Sequence, residues 1–553
     1  MNRLISLKKH IPLFMLVFIL FFLIVCPLAM IFAKAVIVDD RFSFSYAWQT
    51  LYESENLIMI GNSLTLGVLV VIASTIIAAP LAYLFSRTKF AHYKFFDIIF
   101  IIPFMTPPYI ASMGWILFMQ KRGLLQQLIP ATEGFENYFF SMAGLVLVMS
   151  LHVFPFMFTM LKNAMLNIPS SLEESGAIFG ANFALRLRKI FLPLLSGNYA
   201  IAALLVFVKT LAEYGTPATL GKRIGFYVFT TEIHRYATVA PIDFGKSATL
   251  SSVLIGICLC MWMLQNYITF NKSYNLVSGK GTRFVEVKLS LGVKIISWAY
   301  IVFILILSIG IPYFSVISTS FIKLRGYGLA KGNFTFQHYI DLFTENSKGI
   351  QALTNSLILS ISAATICAVL GTIIVIAVHN SKSKFRKLVE AIGLLPEMLP
   401  SIVLVIGIML FWNEIYNVLP LYNTLGIMVL AYVILFLPYT IQYVTSSFSQ
   451  ISNSLIAAGQ IFGANPAYIL RKITIPLIAK GIVTGWMMTF IIAFRELVTA
   501  SLIAPANTLV ISTYIVREFE QGSVSVGMAM AVLCVLFTTT ALIILNHFIP
   551  KQR

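Results

Sequence analysis

Charge is what this chain has least of: 11% of its 553 residues are Asp, Glu, Lys or Arg, against 59% hydrophobic. A soluble chain needs more polar surface than that to cover itself, so lipid is the solvent for most of this one. Acid is scarcer than base, 21 Asp plus Glu against 39 Lys plus Arg, for a net charge of +18. No Lys/Arg block exceeds a few residues and the cations fall between apolar runs, which excludes a nucleic-acid surface and fits the positive-inside pattern. The five cysteines, Cys26, Cys258, Cys260, Cys367 and Cys534, all sit in apolar runs. They form no disulfide framework or metal motif and read as small hydrophobes. No Gly-x-x-x-x-Gly-Lys-Ser/Thr phosphate loop is present, so the chain does not bind ATP by that route. The seven histidines include no His-Glu-x-x-His and no acid–histidine set on a span, which argues against a membrane-embedded enzyme and leaves no catalytic residue to name.

What is abundant is apolar sequence in runs of about 20 residues, each able to satisfy its own backbone in lipid only as a helix. Twelve candidate spans follow: 11–33, 62–85, 97–119, 139–161, 191–212, 246–269, 295–317, 355–378, 390–412, 425–447, 477–499 and 525–548. The first is too long for a signal-peptide core and reads as a retained span. The fold class is therefore an all-α polytopic membrane protein. With both termini cytoplasmic, 23 basic residues lie inside and 13 outside, among them Arg87, Lys162, Arg186, Arg188 and Lys189 on the inner side.

Internal repetition is the strongest signal. Residues 171–194, SLEESGAIFGANFALRLRKIFLPL, and 454–477, SLIAAGQIFGANPAYILRKITIPL, agree at 15 of 24 positions at an offset of 283. Pro155 pairs with Pro438 and Glu213 with Glu496 at that offset, while Asn62-Ser63-Leu64 pairs with Asn355-Ser356-Leu357 at 293. Pro103, Pro107 and Gly114 likewise pair with Pro396, Pro400 and Gly407. Both matched loops fall on the cytoplasmic side, so the units are parallel repeats, which imply a pseudo-two-fold axis along the membrane normal and a pathway where the units meet. The expected units are 1–280, with a loop at 169–193, and 281–553, with a loop at 452–476; the join lies in 271–292.

Each loop reads as two short helices. Ser170 and Glu173 stand at capping-box spacing, Gly180 permits a sharp change of direction, and Arg188 precedes Pro193, which marks re-entry into the membrane. The second copy keeps Gly463, Arg471 and Pro476 but has Ala457 where the first has Glu174. One such loop could merely hold two helices together. Two with the same glycine-to-proline interval on one face are suited to docking into a partner.

These loops resemble the EAA motif of permease subunits in bacterial ABC importers: Glu-Ala-Ala, three residues, Gly, nine residues, Ile-x-Leu-Pro. The pattern falls on Glu174-Ser175-Gly176, Gly180, Ile190, Leu192 and Pro193, and on Ala457-Ala458-Gly459, Gly463, Ile473, Ile475 and Pro476. The serine and glycines in alanine slots, and the acid lost at Ala457, imply two inequivalent docking sites. The resemblance implies a type I importer transmembrane domain in two tandem copies in the bacterial inner membrane. Each loop would form a coupling helix seated in one of two ABC ATPase subunits, which use ATP and Mg; this chain would bind no cofactor. A periplasmic or lipid-anchored binding protein would deliver substrate. Permeases fused in one chain are typical of the iron(III) importer group, with relatives assigned to 2-aminoethylphosphonate. Residues 210–221, TLAEYGTPATLG, and 495–503, RELVTASLI, resemble segments those proteins carry. Ferric iron is the expected cargo, with phosphonate, sugar phosphate or polyamine open.

Glu213 and Glu496 each stand 20 residues beyond a loop proline, with Lys209 one turn before the first and Arg495 beside the second. A carboxylate near lipid has to be paired or wet. These charges read either as structural ion pairs or as a gate or pathway lining, and they assign no metal site. The clusters 101–114 and 394–407, with Pro103, Pro107, Pro396 and Pro400, break or bend the third helix of each unit, for packing or as a moving gate. The loop 216–245 reads as a solvated surface that could touch the delivery protein. An ion-coupled secondary transporter is the less favoured reading, since it calls for ionisable pairs near the membrane midplane.

Overall fold

The structure is a computed structural model that describes residues 13–38, 41–272, 286–344, 347–381 and 383–548. Most of the expected join, and the cations Arg3, Lys8, Lys9, Lys280, Arg283, Lys382, Lys551 and Arg553, lie outside the described residues.

Among the described residues ten helices are long and apolar enough to cross a membrane unbroken, and two bent pairs complete a set of twelve. They are α1 (Leu13–Val36), α2 (Ser54–Arg87), the pair α3a (Phe95–Met105) and α3b (Pro108–Met119), α4 (Met142–Leu166), α5 (Phe183–Ala212) and α6 (Phe244–Thr269). The second set is α7 (Leu291–Phe321), α8 (Lys348–Asn380), the pair α9a (Phe385–Met398) and α9b (Ser401–Glu414), α10 (Leu425–Phe448), α11 (Pro466–Phe494) and α12 (Val524–Ile544).

The bends are 86° in the first pair and 112° in the second. Pro107 and Pro400 sit at the N-caps of α3b and α9b with near-identical backbone, φ −54°, ψ 130° and φ −59°, ψ 135°. A proline there donates no amide and its extended backbone cannot continue the preceding turn, so the chain changes direction. One carbonyl at the first break, that of Pro103, bonds His152 Nδ1 of α4 at 3.0 Å.

Four prolines inside spans produce a different feature. Pro27, Pro193, Pro312 and Pro476 each follow a π turn, at Phe21–Val25, Leu187–Phe191, Ile306–Gly310 and Leu470–Thr474. In each case the amide just before the proline reaches back five residues, as from Leu192 to the Leu187 carbonyl. The wider turn moves aside the carbonyl that the ring would otherwise strike.

The chain forms two compact units that do not follow its sequence halves. One holds Tyr52–Glu232 with Gly256–Thr335; the other holds Met1–Leu51, Ile233–Ile255 and Phe336–Arg553. In the first, α2 packs on α4 and α5, and α7 lies against α3b. In the second, α8, α10 and α11 pack together and α1 lies against α9b. Each unit is thus completed by the opening helix of the other sequence half. Glycine makes both of these contacts: a Cβ on Gly114 would stand 2.7 Å from the Pro312 carbonyl oxygen, and one on Gly407 would stand 2.6 Å from that of Pro27. Helices in lipid associate by close backbone approach, which small residues permit.

Replacing Gly114 or Gly407 with isoleucine should therefore cost about 1–3 kcal/mol through overpacking. The purified protein should melt several degrees lower in detergent. Gly256, whose Cβ would meet nothing within 4 Å, should tolerate the same substitution.

Candidate functional site: two repeated loops and two capped turns

The first loop helix, Ser170–Ile178, begins after Pro169 in the N-cap position. Ser170 is therefore the first helical residue and not the N-cap expected from the sequence. The second, Asn453–Ile461, is capped by Ser452, whose hydroxyl accepts the Ser454 amide. Both end in the same C-terminal device. Gly180 and Gly463 adopt φ +78° and +79°. The Ala181 amide bonds the Gly176 carbonyl and the Gly180 amide that of Ala177, at 2.8 and 3.0 Å; the Ala464–Gly459 and Gly463–Gln460 bonds repeat this at 3.0 Å each. This is the Schellman arrangement, whose left-handed position disfavours any side chain with a Cβ. Just before it, Ile178 and Phe179 are 82% and 89% exposed, and Ile461 and Phe462 are also 82% and 89% exposed.

The returning limb starts at an asparagine in each copy: Asn182 Oδ1 accepts the Leu185 amide at 2.9 Å and Asn465 Oδ1 that of Tyr468 at 2.7 Å. The repeated Gly-Ala-Asn was available in the sequence as an N-cap signal and was not used. The limb runs through the π turn to Pro193 or Pro476, both in the first turn of the helix that follows. Gly176 and Gly459 face this limb: a Cβ on Gly176 would lie 3.1 Å from Ile190 and 3.4 Å from the Arg186 stem, and one on Gly459 3.2 Å from Ile473 and 3.4 Å from Ile469. Glu174, Ala457, Arg188 and Arg471 are exposed.

Glu173 is not exposed. It retains 2% of its side-chain surface and lies between two guanidinium groups, with Oε2 3.7 Å from Arg87 Nε and Oε1 3.8 Å from Arg186 Nη1. Arg87, the last residue of α2, donates from Nη2 to the Met165 and Ile168 carbonyls at 2.8 and 2.9 Å, and its guanidinium lies over Phe191 at 5.5 Å. It closes the C-terminal end of α4, where cations are favoured. Arg87 was counted as an inner cation only, and sequence spacing carries no sign of this contact.

The two candidate gate acids are held alike. Glu213 accepts the Thr216 amide with both carboxylate oxygens, at 3.2 and 3.0 Å. Glu496 accepts the Val498 and Thr499 amides at 2.9 and 2.8 Å. Each carboxylate caps a short helical segment that reverses the chain, Pro217–Gly221 or Val498–Ile503. A hydroxyl from the next helix donates back to each glutamate's own carbonyl: Thr230 to Glu213 at 2.8 Å, Ser512 to Glu496 at 2.5 Å. The Lys209–Glu213 ion pair, one of the two readings of these charges, is not found among the described residues: the carboxylate is turned to the backbone and the Lys209 ammonium lies 5.9 Å from the centre of the Phe156 ring. At Arg495–Glu496, likewise, it is backbone amides that hold the carboxylate. The signal was Glu-x-x-Thr at the repeat offset, an N-cap with its partner three residues on.

The segment after Glu213 is not the solvated surface expected. Thr216, Pro217, Thr219 and Leu220 are buried against α3b, where Thr219 Oγ1 donates to Ser112 Oγ at 2.8 Å. The repeated Asn-Ser pairs clamp the next stretch of backbone. Asn62 bonds the Tyr227 carbonyl and Ser63 the Phe229 amide; Asn355 and Ser356 do the same to Leu509 and Ile511. Among the described residues no three His, Cys, Asp or Glu side chains form a metal-binding group.

Twelve apolar spans built as a tandem repeat, with a duplicated loop whose apolar tip projects outside the spans, define a multi-pass membrane permease. The chain belongs to the binding-protein-dependent transport system inner membrane component family, which it matches twice, at residues 71–274 and 368–553. It is 25% identical to the ferric transport system permease protein FbpB of Actinobacillus pleuropneumoniae, over 97% of this chain and 78% of that one. It is 24% identical to the Fe(3+)-transport system permease protein FbpB 2 of Haemophilus influenzae, over 96% of this chain and 98% of that one. The spermidine/putrescine permease PotC of the same organism is 26% identical over 44% of this chain and 92% of its own.

Removing a capping side chain typically costs about 0.5–2 kcal/mol. Glu496→Ala should lower the thermal midpoint by that equivalent, whereas Glu496→Gln, which keeps one carbonyl acceptor, should lose less than half as much; Glu213 should behave the same way. Equal losses for the two replacements would show that the charge, and not the cap, matters.

Proposed function

We propose that this chain is the transmembrane permease of an ATP-driven importer that carries ferric iron into the cytoplasm from a periplasmic or lipid-anchored binding protein. The two sequence halves, 1–280 and 281–553, act as its two permease units, with both termini cytoplasmic. One ABC ATPase subunit sits on each loop; those subunits use ATP and Mg, and this chain binds neither.

The observation that carries this reading is the pair of Ile-Phe tips. Two large apolar side chains at 82% and 89% exposure, repeated at Ile178-Phe179 and Ile461-Phe462, have no use in water and fit a cleft in a partner. The glycine after each tip turns the chain back, so the tip projects as a short rigid wedge. A wedge driven sideways by closure of the ATPase pair would carry α5 and α11 with it, because its limb runs through the π turn into those helices. That is the linkage alternating access needs. Iron is favoured as cargo because the relatives matched along almost the whole chain are ferric permeases, whereas the polyamine permease matches less than half of it.

The reconstituted complex of chain, ATPase and binding protein should hydrolyse ATP severalfold faster with ferric iron than with 2-aminoethylphosphonate or spermidine. Preference for either of the latter would keep the mechanism and change the cargo. Failure of the ATPase to associate would favour an ion-coupled transporter.

Gly180→Val and Gly463→Val force a β-branched residue into left-handed backbone, a strain of about 1–3 kcal/mol. Each should uncouple the system, leaving ATP hydrolysis but cutting uptake at least tenfold. Unchanged coupling in both would count against the docking assignment.

A further inference from the structure

The two loops share a backbone but not a root. Around the first, Arg87 joins the end of α2 to the end of α4 and faces Glu173, which also faces Arg186 on the returning limb. At the repeat offsets the second copy has Asn380, Ile456 and Ile469. The three charged residues are thus replaced by one neutral polar residue and two apolar ones. Gly176 rests on the stem of Arg186 where Gly459 rests on Ile469, so the same close contact is made with and without charge.

Arg87 Nε, Arg186 Nε and Glu173 Oε2 are buried and make no hydrogen bond among the described residues. At 3.7 and 3.8 Å the two pairs are held by charge rather than by directed bonds. Such a contact keeps its attraction while the carboxylate shifts between its neighbours; losing Glu173 leaves Arg87 buried without its counter-charge, and losing Arg87 removes both the charge contact and the bonds to the end of α4.

We propose that Arg87, Glu173 and Arg186 act as one unit, an electrostatic joint that positions the first coupling helix on the ends of α2 and α4 and passes its displacement to both. The second coupling helix is positioned by packing alone. This rests on the reading of the loops as ATPase docking sites. The three residues are positioning residues; the docking surface itself is the exposed tip.

The test uses the full complex in proteoliposomes, with iron uptake and ATP hydrolysis measured in parallel and ATPase association measured by co-purification. Arg87→Gln and Glu173→Gln should each raise the ATP consumed per ion moved at least fivefold, with association unchanged. Asn380→Ala, at the matching site of the second repeat, should leave that ratio within twofold of the unaltered chain. The triple variant Arg87→Asn, Glu173→Ile, Arg186→Ile installs the second repeat's set in the first. It should couple at least threefold better than Glu173→Gln, because no buried charge is left alone.

A ratio unchanged in both single variants, with the ATPase bound, would overturn the joint. So would a triple variant coupling no better than the singles, which would also decide the matter if a single variant failed to assemble. Loss of ATPase binding on replacing Phe179 with aspartate, in a chain that still folds, keeps the docking reading standing whatever the triad does. Retained binding would remove that reading first.

Discussion

A peptide group that leaves helical geometry inside a bilayer has no water to bond, and at several breaks in these helices a donor or acceptor elsewhere in the chain answers it. Pro103 lends its carbonyl to His152. The reversing segments after α5 and α11 have their free amides taken by Glu213 and Glu496, and those glutamates' own carbonyls are taken by Thr230 and Ser512. Asn62-Ser63 and Asn355-Ser356 bond the extended backbone that follows. A π turn before each of four prolines keeps the ring from striking the preceding turn. The His152 bond apart, these devices come in matched pairs because the same backbone has to be satisfied twice. They also explain how acids can stand beside apolar spans: the carboxylates serve as helix caps, where negative charge is favoured.

Side chains that satisfy no repeated break are free to differ between the copies, and they do. Lys209 has Ile492 at its matching position, and Phe191 has Thr474. The largest change is at the root of the repeated loop, where three charged residues give way to two isoleucines and an asparagine. Buried charge and packed hydrocarbon are alternative solutions of similar net stability only when the set is exchanged whole. The root is therefore a place where the copies can separate by concerted replacement and not by single steps.

Much of this architecture was legible in the sequence because lipid leaves few choices. All twelve spans fall where the apolar runs put them, and the Pro-Gly clusters mark the two bent helices. The matched Gly-to-Pro intervals locate both loops. What was not legible depended on contacts between distant residues or on competing local preferences. Pro169 took the N-cap position that the Ser170–Glu173 spacing gives to Ser170. Prolines two residues into a helix read as ordinary starts, with nothing to mark the π turn before them. The polar look of residues 216–220 comes from Thr216 and Thr219, small enough to bury against α3b with the Thr219 hydroxyl bonded to Ser112. The exchange of opening helices could not be read from neighbouring sequence, although its anchor could: Gly114 and Gly407 stood out as a pair, without their partners Pro312 and Pro27.

The contrast between tip and root bears on the ATPase partners. The tips match in residue, exposure and turn geometry, whereas the roots differ in charge, size and bonding. A root touches only this chain, so each can be solved separately as long as its own neighbours change with it. In the proposed complex a tip faces a partner. Two different partners would leave the tips free to part as the roots have done, while two copies of one ATPase would hold both to one shape. Fusion of the halves in one chain strengthens the constraint, since it lets every position diverge independently and the tips have nevertheless stayed alike. Identical wedges on unlike foundations fit the proposed reading, in which two like ATPase subunits act on one permease with two different roots.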